Sequence, residues 1–340
     1  MEPAGRAPLA LVLGCAGTVL SAAEKDFFRA ADPFGFILFR RNIADPDQVR
    51  VLVADLRDAV GRDAPVLIDQ EGGRVARLRG PHWPELPAAG HIGTLGYTAP
   101  RAAWLHGRLL AAMLADLGID VDCTPVADVP VPGAHDVIGD RAFADDPARV
   151  ALLAGEQAKG LLAGGVLPVI KHIPGHGRAF ADSHKELPVV TAPVEALRDW
   201  DFAPFKALAG LPLAMVAHVV YAAIDPDHPS SISPRVIGEI VRGEIGFDGL
   251  LFSDDLSMQA LSGTLGQRTA AVLAAGCDIA LHCNGVMAEM EDAVSHAGRM
   301  DGAALKRWEI AAVRRTSHLE QADVAALRRE FDLILAGRMA

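Results

Sequence analysis

Cysteine is scarce, with only Cys15, Cys123, Cys277 and Cys283 among 340 residues. No two of them form a CxxC pair. Neither a disulfide framework nor a cysteine-based zinc site is indicated, and buried free thiols in a reducing compartment are expected. No apolar stretch reaches the roughly 18 to 20 residues that a membrane span needs. No run rich in Lys and Arg breaks the acidic balance in the central chain, and the formal net charge is -11 at pH 7. Nucleic acid is therefore a poor partner. Linkers, low-complexity tracts and fixed-period repeats are missing too. One domain over residues 1–340, in the cytoplasm, is the expectation. The sequence leaves monomer and homodimer equally open.

Apolar residues are plentiful, at 51%, against 22% charged. A large core can form and disorder is disfavoured. The apolar residues gather in eight short runs: Leu9 to Leu13, Gly35 to Phe39, Pro65 to Ile68, Ile119 to Cys123, Leu167 to Ile170, Leu213 to Ala217, Leu250 to Phe252 and Asp278 to Leu281. Each is too short for a core helix and lacks strict alternation, as strands buried on both faces do. The first, ending near Cys15, looks like a short secretory core with a lipoprotein-type cysteine. Its brevity, and Glu2 beside Arg6, favour a buried strand instead.

Between the runs lie segments of helical period, including Val51 to Val60, Ala102 to Leu117 and Pro147 to Ala163. Asp146-Pro147 reads as a helix start with an aspartate cap and proline in the first turn, and Ala192-Pro193 and Ser233-Pro234 as similar starts. Eight alternations predict an α/β fold, either a closed parallel barrel or a doubly wound sheet. From about Gly302 to the end, the chain predicts a helical extension packed on the barrel's outside or end.

Polar groups finish six of the eight runs: Asp69, Asp122, Lys171-His172, His218, Ser253-Asp254-Asp255 and His282-Cys283-Asn284. In a parallel barrel these ends share one rim, where such folds place their chemistry. A doubly wound sheet would gather them along its carboxyl edge. Asp255 also suits a plain cap or loop contact.

The densest segment runs from Lys171 to His184 and holds three histidines, a lysine, an arginine and an aspartate. Gly175 and Gly177 suit unusual backbone angles or mobility. Three chemistries compete. A metal site would use His172, His176, His184 and Asp182, although no HxH or HExxH spacing fixes them on one element. A phosphate cradle would want more glycines opening a helix. An acid/base dyad would use Asp182 to orient the imidazole of His184. A glycosidase fits the third reading, with His184 as proton donor and Asp254 as a carboxylate nucleophile.

Lys171-His172-Ile173-Pro174-Gly175-His176-Gly177 followed by Asp182-Ser183-His184 resembles the signature of bacterial β-N-acetylglucosaminidases of glycoside hydrolase family 3, the NagZ type. Other blocks agree in order: Gly35 to Asn42, Asp69 to Val75, Gly139 to Phe143, Ala217-His218-Val219 and Phe252 to Met258. The resemblance spans residues 35 to 285. It implies a single (β/α)8 TIM-type barrel, with room for an irregular strand or two. It also implies a retaining enzyme needing no metal or organic cofactor, with Asp254 as nucleophile, His184 as acid/base and Asp182 as its partner. Asp69, Arg77, Arg141, Lys171 and His172 then contact the sugar, and His218 and Asn284 give supporting hydrogen bonds. The implied substrate is N-acetylglucosamine β-1,4-linked to 1,6-anhydro-N-acetylmuramic acid, with or without peptide, in cell-wall recycling. Two other readings stay open: a phosphorylase using phosphate as acceptor, and a sugar-binding barrel without activity.

Overall fold

A computed structural model describes residues 6–179 and 187–338. Asp182 and His184 lie outside the described residues. Among the described residues ten strands follow in chain order: β1 (Leu9–Leu13), β2 (Pro33–Leu38), β3 (Val66–Ile68), β4 (Val121–Asp122), β5 (Leu167–Ile173), β6 (Val189–Val190), β7 (Leu213–Val216), β8 (Val220–Tyr221), β9 (Leu250–Asp255) and β10 (Ile279–His282). Eight of them close a parallel barrel in the order β1, β2, β3, β4, β5, β7, β9, β10 and back to β1. All eight apolar runs of the sequence supply these strands, so the barrel holds and the doubly wound sheet does not. β6 and β8 pair in parallel outside it, an addition that the sequence pattern did not predict.

Both faces of the barrel strands are buried, which explains the unbroken apolar runs. Alternate residues divide between two cores. Val12, Leu67, Val121, Leu167, Leu213, Leu250 and Ile279 fill the barrel interior. Leu11, Leu13, Val66, Ile68, Ile170, Ala214, Leu251 and Ala280 face the surrounding helices. Irregularity appears as well: β4 is two residues long, and β5 shifts register beyond Lys171.

Two of the three predicted helix starts follow cap chemistry, while the helix after Ala192-Pro193 has no side-chain cap. The Asp146 side chain accepts the Arg149 N–H at 2.7 Å, with Pro147 in the first turn. Ser233 Oγ accepts the Val236 N–H at 3.0 Å. Such caps contribute about 1 kcal/mol each. Helices Ala99–Asp116 and Pro147–Ala163 pack closely because glycine lies at their crossing. A Cβ on Gly107 would sit 2.1 Å from the Gln157 carbonyl oxygen, and one on Gly160 2.1 Å from that of Trp104.

The C-terminal helices take both of the expected places. Helix Gly302–Ser317 covers the foot of the barrel: Ala304 and Ala311 join the interior core, and Trp308 packs edge-on against Phe34 at 4.8 Å. An aromatic pair of this kind adds about 1 kcal/mol beyond its burial. Helix Val324–Leu335 lies outside, along Ala99–Asp116, where Glu330 takes both hydrogen bonds of an Arg101 fork at 2.7 and 2.8 Å. Among the described residues no helix is long and apolar enough to cross a membrane.

Candidate active site

At the carboxyl ends of the strands the barrel opens into a cavity of about 150 Å³. Ile37, Met215 and Leu281, the top layer of the interior core, form its apolar floor. Its walls carry charge. Asp69, Glu71, Arg77, Arg141, Lys171, His172, His176 and both aspartates of β9 line it.

Five of these side chains form one ion network. Lys171 Nζ bridges Asp69 Oδ1 at 2.9 Å and Glu71 Oε1 at 2.7 Å. Arg77 donates to Asp69 Oδ2 at 3.1 Å and stacks over the Phe39 ring at 4.8 Å. Arg141 grips Glu71 with two bonds, at 2.8 and 2.9 Å. Burial alone would push both carboxyls up. Lys171 and Arg77 outweigh it and hold Asp69 well below the ordinary carboxylate range, and Arg141 and Lys171 bring Glu71 down to about 2. Burial works against the Lys171 ammonium too, but Asp69 and Glu71 raise its pKa. All five groups are therefore charged at neutral pH, with two negative and three positive charges. Polar hydrogens and oxygens left over on this lattice can meet sugar hydroxyls.

The histidine segment leaves β5 and turns under tight constraint. Gly175 has φ +143°, and a Cβ there would press on Asp201 at 3.0 Å. Gly177 has no space for a Cβ, which would lie 2.1 Å from the Val129 carbonyl oxygen. The two glycines serve different needs, an unusual angle and a close approach. Tyr221 donates its hydroxyl to the Gly175 carbonyl, and Arg178 pairs with Asp201 at 2.9 Å. Asp128 accepts from His172 Nδ1 at 2.7 Å and from the His176 N–H at 2.6 Å. Burial, helped by the neighbouring His172, lowers His176 to about 4, so its ring is neutral at pH 7.

Two aspartates stand at the end of β9. Asp255 is tied down: Oδ1 accepts from the Ser257 and Cys283 N–H groups at 3.1 and 3.2 Å, and Oδ2 from the Ser257 hydroxyl. Asp254 Oδ1 accepts the Asp255 N–H at 2.8 Å. His218 lies beneath them, fully buried, with Nδ1 against Ser231 Oγ at 2.6 Å and Nε2 against the Asp255 carbonyl at 3.1 Å. Burial lowers its pKa, so it serves as a neutral strut.

Other strand-end groups stay off the cavity. Asp122 is buried below Gln70, whose N–H it accepts at 2.9 Å, and burial raises its pKa well above the usual value. Asn284 is exposed and reaches Glu289 at 3.3 Å. All four cysteines are free and buried.

Residues 21–314 match the glycosyl hydrolase family 3 N-terminal domain. The chain belongs to glycosyl hydrolase family 3. It is a glycoside hydrolase, similar to the β-hexosaminidase of Pseudomonas aeruginosa strain LESB58, at 43% identity over 277 residues, 81% of this chain and 82% of that one. The β-hexosaminidase of Stenotrophomonas maltophilia strain R551-3 is 39% identical over 295 residues, 84% of this chain and 86% of that one. Among solved structures, NagZ of Neisseria gonorrhoeae bound to N-trifluoroacetyl-D-glucosamine superposes with a TM-score of 0.85. It is 30% identical, over 98% of this chain and 99% of that one.

Within this family 3 barrel, the structure brings Asp69, Arg77, Arg141, Lys171, His172 and Asp254 around one cavity. It puts His218 behind the wall and Asn284 outside. Two side chains of the site were not singled out from the sequence. Glu71 lies two residues beyond Asp69, in the same stretch just past β3, so its nearness to Asp69 could have pointed to it. Asp128 carries the only charge between Cys123 and Ala134, a signal strong enough to have been followed.

Proposed function

We propose that this family 3 enzyme is a retaining exo-β-N-acetylglucosaminidase, with Asp254 as its nucleophile. One observation carries the reading: Asp254, at the end of β9, lines the same cavity as Asp69, Arg77, Arg141, Lys171 and His172. Asp254 is the nucleophile for a sugar held by those groups. It forms the bond to the anomeric carbon as His184 protonates the leaving oxygen. The neutral imidazole then takes a proton from water, which displaces the Asp254 carboxylate. Asp182 orients His184. Asp69, Lys171, Arg77, Arg141 and His172 bind sugar hydroxyls, and His218 holds the end of β9 in place. The likeness to NagZ and to β-hexosaminidases supports a terminal N-acetylglucosamine on a muropeptide fragment as substrate, and a place in cell-wall recycling in the cytoplasm.

The test is hydrolysis of an aryl N-acetyl-β-glucosaminide with and without phosphate. Free N-acetylglucosamine is the expected product in both, and Asp254→Asn should lower kcat by about 10⁴-fold or more. Near-normal activity of that variant removes the nucleophile assignment. Accumulation of the sugar 1-phosphate makes the enzyme a phosphorylase.

A further inference from the structure

We propose that Asp128 is a positioning residue that fixes the tautomer of His172, so that Nε2 is the ring nitrogen facing the sugar. This inference rests on the proposed function above, because it takes His172 as a sugar contact.

The geometry is specific. Asp128 is fully buried and lies just beyond β4, the shortest barrel strand, while His172 is near the end of the adjoining β5. Asp128 Oδ2 lies 2.7 Å from His172 Nδ1. Its Oδ1 accepts two backbone N–H groups, from His172 at 3.2 Å and from His176 at 2.6 Å. Three donors thus surround one carboxylate with no water needed. They anchor it from main chain as well as side chain, so the carboxylate cannot swing away. An ionised carboxylate only accepts. In a ring that carries one proton, that proton must therefore sit on Nδ1. His172 lines the cavity, and its other nitrogen is what remains for a ligand. A buried carboxylate that sets the tautomer of a working histidine is a known physical device, and losing it leaves a ring of the right shape with its proton on the wrong atom.

The same carboxylate does a second thing. Its bond to the His176 N–H lies past the turn at Ile173-Pro174, so Asp128 ties the sugar-facing histidine to the stem of the segment that continues toward Asp182 and His184. His172 and His176 meet edge to face at 5.7 Å, so an imidazole out of place at one crowds the other.

An amide cannot reproduce this arrangement. In Asp128→Asn, one of the two accepting positions becomes an NH2 group. It then faces either the two backbone N–H groups or the imidazole, which must move its proton to Nε2 to accept from it.

The test combines two readouts. Nitrogen-15 imidazole spectra of the sugar-free wild type, with the signals assigned by His172→Gln, should show His172 protonated on Nδ1. In Asp128→Asn the population should shift toward Nε2–H. This needs no turnover, so it stands even if the proposed substrate is wrong. On an aryl N-acetyl-β-glucosaminide, Asp128→Asn should lower kcat/KM about 100-fold with the protein still folded. In a His172→Gln background the same change should cost only about 3-fold or less, because the residue it acts through is already gone. An Nε2–H tautomer in the wild type overturns the proposal, and decides it even if Asp128→Asn does not fold. So does a full 100-fold loss in the His172→Gln background. A wild type with the expected tautomer but no activity on any N-acetylglucosaminide would instead count against the proposed function.

Discussion

The two ends of the barrel use the same ions for different ends. At the foot, three aspartates stand one residue before a strand, and each meets two arginines. Asp32 pairs with Arg62 and Arg299 at 3.0 and 3.1 Å. Asp278 pairs with Arg242 and Arg307, both at 2.8 Å, and Asp120 with Arg57 and Arg315. Arg307 and Arg315 come from the covering helix, so these pairs bolt it to the strands. At the rim, Asp69 and Glu71 are equally well paired, yet their partners border an open cavity. Ion pairing does not distinguish structure from site here. What distinguishes them is whether something covers the charges.

Breaking the rim should therefore cost activity first. Lys171→Met removes the cation shared by Asp69 and Glu71 and leaves two buried carboxylates short of a partner. A loss of about 3 kcal/mol of stability is expected, with kcat/KM on an aryl N-acetyl-β-glucosaminide down by about 10³-fold. Steady-state kinetics beside a denaturant melt would show both. Activity within a few-fold of wild type would make the network a foot-like bolt.

Breaking the foot should do the reverse. Asp278→Asn weakens its bonds to Arg242 and Arg307, and should cost about 2 kcal/mol of stability. Turnover by the folded fraction should stay within about 2-fold of wild type, since Asp278 lies at the opposite end of its strand from the cavity. A much larger drop would mean that the two ends are coupled.

Acid sharpens the comparison in a smaller way. The folded pKa of Glu71 lies below its ordinary value, at about 2 against 4.5. Its contribution to stability is thus complete above pH 4.5 and is lost as pH falls toward 2. Melting temperature should drop across that window, and Glu71→Gln should flatten the drop. An equal slope in both proteins would show that Glu71 is not held down by Arg141 and Lys171.

Much of this was legible in the sequence, for physical reasons. Parallel strands covered on both faces leave continuous apolar runs, so all eight were visible, from Leu9–Leu13 to Ile279–His282. Their carboxyl ends are also sequence-local, which is why Asp69, Lys171, His172 and Asp254 stood out. The rest depends on contacts distant in sequence. Asp128 acquires its role only when β5 brings His172 beside it, 44 positions on. Glu71 acquires its role through Arg141, 70 positions away. β6 and β8 are two residues each, too short to carry a period. Asn284 follows a strand like Asp69 does, but the chain turns it outward.

The most direct test of the central claim is to inactivate the enzyme with a 2-acetamido fluorosugar that traps the glycosyl intermediate, then digest it and sequence the labelled peptide by mass spectrometry. One sugar per chain, on the peptide carrying Asp254 and on that side chain, is the predicted result. A sugar carried by Asp255, Asp69 or a histidine, or inactivation with no sugar attached, would contradict the account.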